Sequence, residues 1–198
     1  MLEQVMELWP PDRWDRNRDS STQLFDRVLR QHQRLYDVSK PLMRAGYRHA
    51  LDVWQWVLRL NPKASLTLQL AALFHDVARL RTAVDLRVDS FDDADEKCSA
   101  DIAREALAEA EVPEEVRNRV AEIVAAHERQ SNDDEVALLN DAGALSFFAL
   151  NSSAYVDDFG PEAARSRIAD TWRRMRASAR AKLEQVFLRQ DVRAMLEE

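Results

Sequence analysis

Three histidines, His49, His75 and His127, and one aspartate, Asp141, fall where a solvated side chain should not. His49 shares a helical face with Leu42, Gly46, Val53, Trp56 and Leu60, and His127 follows Val120, Ile123 and Val124. Asp141 lies on the stripe of Leu138, Leu145 and Phe148, with no lysine or arginine in its own segment. A carboxylate turned into a core is costly unless it meets a cation or ligates a metal. Neutral imidazoles with carboxylates are a donor set for a borderline or hard divalent cation. His75 and Asp76 are adjacent; helical neighbours diverge by about 100°, so they converge on one ion most easily at a helix end. The candidate metal ligands are therefore drawn from His49, His75, Asp76, His127 and Asp141, with Asp52, one turn past His49, as a group that could fix its ring. Each histidine alone has a plainer reading, because a buried histidine is more often a hydrogen-bonded core residue. His32, on the stripe of Phe25, Val28, Leu29, Leu35 and Tyr36, is assigned to structure or pocket lining.

These residues need helices to position them. Residues 1–20, with Trp9, Pro10, Pro11 and Trp14, read as an irregular arm, residues 21–160 as a helical core, and residues 161–198 as helices packing on it. A helix is expected from Pro41 to Leu60, stopped by Asn61 and Pro62. The next, about Ala64 to Val77, is apolar all round and ends at the His75-Asp76 pair. A long loop is expected from about Arg81 to Asp95, then helices over about Glu96–Glu109, Pro113–His127 and Glu135–Leu150. Asn151–Gly160 reads as irregular, and Pro161 opens a charged helical region bent or broken near Ser178.

Composition bounds the function. The 198 residues carry 3 Gly and 6 Pro and abound in helix formers, which fits one all-α domain. A net charge of -7 disfavours general nucleic-acid binding. Cys98 is the sole cysteine, which excludes an intramolecular disulfide or a CxxC site, and it is expected to be a small packed residue. No apolar run is long enough to span a bilayer and no leader pattern opens the chain, so a cytoplasmic location is expected.

The segments YRHALDVWQWV around His49, LAALFHDVAR around His75 and Asp76, and LLNDAGALSFF around Asp141 resemble the HD superfamily of metal-dependent phosphohydrolases. The likeness runs from about residue 24 to residue 150, and the region beyond looks like an uncharacterised bacterial branch described only as a domain of unknown function. The resemblance implies an orthogonal helical bundle of about 7–9 helices and one divalent metal (Mn, Mg, Fe, Co, Ni or Zn) on His49, His75, Asp76 and Asp141. Members with two metals carry further histidines before the last aspartate; here only His127 serves, and DEKCSADIA offers none. His127 is then a fifth ligand, a substrate contact or a general acid. Several branches also place a glutamate just after the His-Asp pair, where this chain has Val77, Ala78 and Arg79. Glu128 or Glu96 must take that part, or none is needed, or catalysis is absent.

The expected activity is hydrolysis of a small phosphate ester, a nucleotide being one such substrate, with Asp76 and Glu128 as the catalytic carboxylates. Cations for the anionic substrate are Arg79, Arg81 and Lys97, together with Arg173, Arg176 and Arg180, whose spacing equally fits a solvated face of intrahelical ion pairs. The alternatives are a catalytically inactive metal- or nucleotide-binding regulatory or interaction module and a metal-free helical scaffold. A homodimer stays open.

Overall fold

The computed structural model describes residues 20–79, 93–129 and 131–197. The arm of residues 1–19 and the expected loop up to residue 92, with Arg81, lie outside the described residues. Those described are helical with no strand among them: α1 (Ser20–Arg34), α2 (Pro41–Leu60), α3 (Leu66–Phe74), α4 (Asp93–Glu109), α5 (Glu114–Ala126), α6 (Asp134–Ser146), α7 (Ser152–Arg174), α8 (Ala177–Arg180) and α9 (Gln190–Glu197). The all-α bundle read from the sequence is what forms. None of these helices is long and apolar enough to cross a membrane.

The centre of the molecule is α3. Its run LTLQLAALF has no polar face, so it can only be stable when covered on every side. Leu68, Leu70, Leu73 and Phe74 are fully buried, each contributing about 1.5–3 kcal/mol by leaving water. Ser65 caps the helix, accepting from the Leu68 amide at 3.0 Å. Helices α2 and α5 pack against α3, α6 lies along α2, and α4 lies along α5. Pro41 opens α2, and α6 starts on Asp133, whose side chain accepts from the amides of Glu135 and Val136.

The helix carrying the His-Asp pair ends three residues earlier than its expected limit at Val77, and His75 itself is the C-cap. That leaves the pair at a helix end, where the two neighbouring side chains approach each other. A π-helical turn, Phe147–Asn151, follows α6. The irregular stretch expected over Asn151–Gly160 is instead helical from Ser152; Ser152 Oγ donates back to the Phe148 carbonyl at 2.9 Å, and Tyr155 stacks one turn on against Phe159 at 4.4 Å. Only Gly160 departs from helix, at φ 83°, a left-handed value open to glycine, and Pro161 restarts the helix. The later break comes at Met175 (ψ 139°), three residues before Ser178. Beyond it Met175, Ala179, Leu183, Val186, Leu188 and Val192 are buried in the same core as the preceding helices.

Candidate functional site

Three imidazoles and one carboxylate meet where the ends of α3 and α5 approach the middle of α2. Asp76 Oδ2 lies 3.4 Å from His75 Nε2 and 3.8 Å from His49 Nε2, and Asp76 Oδ1 lies 3.4 Å from His127 Nε2. The opposite nitrogen of every ring is engaged. His75 Nδ1 is 3.0 Å from the Ala72 carbonyl, His127 Nδ1 bonds the Val124 carbonyl, and His49 Nδ1 is 2.9 Å from Ser146 Oγ. A carbonyl only accepts, so Nδ1 of His75 and of His127 carries the proton and donates it. In the neutral ring Nε2 is then the bare lone pair, and it faces the carboxylate. Among the described residues, two sets place their ligand atoms within 4.8 Å of one another: His49, His75 and Asp76, and Asp76, His127 and Glu128.

The electrostatics keep these groups in ligand-competent forms. Burial drives the His75 pKa down to about 3, against the pull of Asp76, so the ring is neutral. Burial also lowers His49. Burial alone would raise Asp76, but Arg79, then His75 and His127, hold its carboxyl well below the usual range. His127 is the exception: burial lowers it, yet its contact with Asp76 outweighs burial and the net shift is upward.

Arg79 stands where a glutamate was sought. Its Nε lies 3.4 Å from Asp76 Oδ1 and its Nη2 donates to Glu128 Oε2 at 3.0 Å. Glu128 adopts a left-handed φ of 67°, an uncommon conformation for a residue with a side chain and one that clusters at functional sites. Asn140 holds it there, accepting from the Glu128 amide at 2.8 Å and donating to the Arg129 carbonyl at 3.0 Å. Glu96, the other candidate, is buried and ion-pairs with Arg129 at 3.4 Å.

Two expected roles are corrected. Asp141 is buried, at 2 % exposure, but belongs to neither ligand cluster. Its Oδ1 accepts from the Arg176 amide at 2.9 Å and its Oδ2 from the Arg176 guanidinium at 2.5 Å. The cation that a buried carboxylate demands comes from beyond α7, 35 positions along the chain, where inspection of its own helix could not find it. Asp52 does not orient His49 either: Ser146 does, and Asp52 Oδ2 is buried without a hydrogen bond.

A cavity of about 600 Å³ opens onto this centre, within the usual span of small-molecule sites. Among the described residues, Arg79, Arg129, Arg167, Arg174 and Arg176 line it together with the carboxylates of Asp76 and Glu128. The chain is acidic overall, so this is a local cationic focus. Both ends of the π-helical turn, Phe147 and Asn151, reach its wall, and such turns are frequent at functional sites.

Of the expected substrate cations, Arg79 and Arg176 line the cavity, Arg79 paired with Asp76 and Glu128 and Arg176 with Asp141. Lys97 is exposed on α4 and does not line the cavity. Arg173 pairs with Asp170 at 2.6 Å, and Arg180 folds back on the Trp172 and Arg173 carbonyls, both away from the lining. The row of Arg173, Arg176 and Arg180 fails because the helix breaks at Met175 and the three no longer share a face. Arg167 and Arg174 were missed, although with Thr171 they stand at i, i+4 and i+7 on α7, which was readable. Cys98 is exposed rather than packed.

The sequence model of a family described as "Domain of unknown function (DUF4202)" matches residues 19–196. No curated protein and no solved structure matches the chain.

Proposed function

Since the chain belongs to that family, whose description names no activity, we propose its function from the chemistry of the site: a divalent-metal-dependent hydrolase of a small phosphate ester. The carrying observation is the convergence of three imidazole Nε2 atoms on one carboxylate, each ring held by its other nitrogen. Two ligands about 2.1 Å from a common ion and roughly 90–110° apart lie about 3.0–3.4 Å from each other. The separations of 3.4–3.8 Å around Asp76 are close to that spacing and too long for strong hydrogen bonds. The residues present therefore fit the ion that the HD resemblance implies, with His49, His75 and Asp76 as its holders and His127 and Glu128 beside them.

When bound, a divalent ion lowers the pKa of coordinated water and polarises a phosphoryl oxygen. The chain's own groups supply the remainder. Arg79 and Arg176 offset the charge of the bound phosphate. His127, its Nδ1 donating to the Val124 carbonyl, presents Nε2 beside the centre for proton transfer to the departing oxygen. Glu128, fixed by Arg79 and Asn140, receives the proton that the attacking water gives up.

One observation favours a second reading. Arg79 engages both Asp76 and Glu128 and would restrain either from acting as a base, as in a metal- or nucleotide-binding module without turnover.

The two readings separate on incubating Mn-, Mg- or Zn-loaded protein with a panel of phosphate monoesters, nucleotides and pyrophosphate. Metal-dependent release of phosphate, lost in a folded His75→Ala, Asp76→Ala double variant, is the expected result. Bound metal with no turnover on any substrate moves the assignment to the binding module, and no bound metal removes both.

A further inference from the structure

The cavity is wider and more cationic than one phosphoryl group needs. Arg167, Thr171 and Arg174 present one face of α7 to it, and Arg174 Nη1 lies 3.4 Å from the Glu128 carbonyl, which joins this cationic face to the metal-centre end. The positive charges are crowded. Burial disfavours charge on Arg174, and Arg167 and Arg79 repel it, with Glu128 and Asp170 opposing. A bound anion relieves that repulsion.

The lining from α6 points the same way. Gly143 sits inside that helix on the cavity wall, and a Cβ built there meets nothing within 4 Å. Glycine inside a helix costs about 1 kcal/mol relative to alanine, and no neighbouring atom requires it. The space beside Gly143 is open cavity. Among the described residues Phe147 is the one ring on the lining besides histidine, and the Arg167 guanidinium lies over it at 5.6 Å. Thr171 and Asn151 offer polar contacts.

We propose that the α7 face of the cavity is a second anion subsite, so that the substrate is a small bis-anionic molecule. One phosphoryl group lies at the His49, His75 and Asp76 centre; a second oxyanion is held by Arg167 and Arg174, whose planar forks suit phosphate or carboxylate. The missing side chain at Gly143 leaves room for the linker. The assignment of the first group rests on the hydrolase reading given above.

Calorimetric titration of the full chain, metal-free and Mn-loaded, tests this with methylphosphonate against α,ω-alkane bisphosphonates of increasing linker length. One linker length is expected to bind at least about tenfold tighter than methylphosphonate, the size of one added charge-assisted hydrogen bond or more. An Arg167→Gln, Arg174→Gln double variant is expected to erase that advantage while methylphosphonate binds as before. Gly143→Leu, which adds a side chain and removes no contact, is expected to weaken the bisphosphonates by tenfold or more and to spare methylphosphonate. A flat response to linker length in both states overturns the subsite, as does equal weakening of both probes in the variants. Failure to bind Mn²⁺ with the linker preference intact removes the hydrolase reading and leaves the subsite standing.

Discussion

Removing Arg176 should destabilise the protein more than removing the aspartate it serves. Asp141 is 2 % exposed and receives two bonds from Arg176, one from the amide and one from the guanidinium, whereas the Arg176 side chain is 42 % exposed. Arg176→Ala leaves a buried carboxylate with a single backbone donor. Breaking a buried pair in this way costs about 3–5 kcal/mol, and the surviving amide sets the value near the lower end, about 3 kcal/mol. Asp141→Ala frees a guanidinium that can turn to water, so the loss is the net worth of the charge-assisted bonds and some packing, about 2 kcal/mol. Once the carboxylate is gone the arginine has little left to lose, and the double variant should resemble Asp141→Ala, a coupling of about 3 kcal/mol. Urea denaturation of the four proteins in chelator measures this. A milder loss for Arg176→Ala than for Asp141→Ala, or additive losses, would refute the reasoning. So would loss of metal binding in Asp141→Ala alone, which would return Asp141 to the ligand set.

Three further outcomes are expected. His32 is buried against Tyr36, Tyr47 and Phe74, and burial lowers its pKa to about 4. The unfolded ring takes its proton near pH 6.5 and the folded ring near 4, so its stability is complete above the first value and lost as pH falls toward the second. The loss is about 2.5 kcal/mol between roughly pH 7.5 and 4.5, and His32→Phe should show a correspondingly shallower acid slope in denaturation curves. Ser146→Ala removes the partner of His49 Nδ1, and calorimetry should show Mn²⁺ affinity reduced roughly 10–100-fold; unchanged affinity would count against His49 as a ligand. Gly143→Ala adds a methyl into open space within a helix and should raise stability by about 0.5–1 kcal/mol; a loss in urea midpoint would mean that the cavity wall is tighter than described.

Helical class and the cluster's nucleus were legible because they depend on local pattern. The apolar run before His75 could only be a buried helix, and polar residues on the apolar faces at His49 and His127 had to point inward at something. What escaped depended on partners far along the chain. Asp141 is buried as expected, but its partner is Arg176 and not the metal the reading assigned it, because that cation arrives from a segment whose path turns on the break at Met175. Ser146 in place of Asp52 is the same lesson, since the choice is made by how α6 packs along α2 rather than by spacing within α2. The arginine row at 173, 176 and 180 failed for want of that break, while Arg167, Thr171 and Arg174 followed helical spacing and could have been found by extending the same test upstream.

The account depends on an ion held by His49, His75 and Asp76. Calorimetric titration of Mn²⁺ into chelator-stripped protein should show a single saturable site per chain, absent from folded His75→Ala and Asp76→Ala variants. No binding by the unaltered chain, or binding that both variants retain, would contradict it.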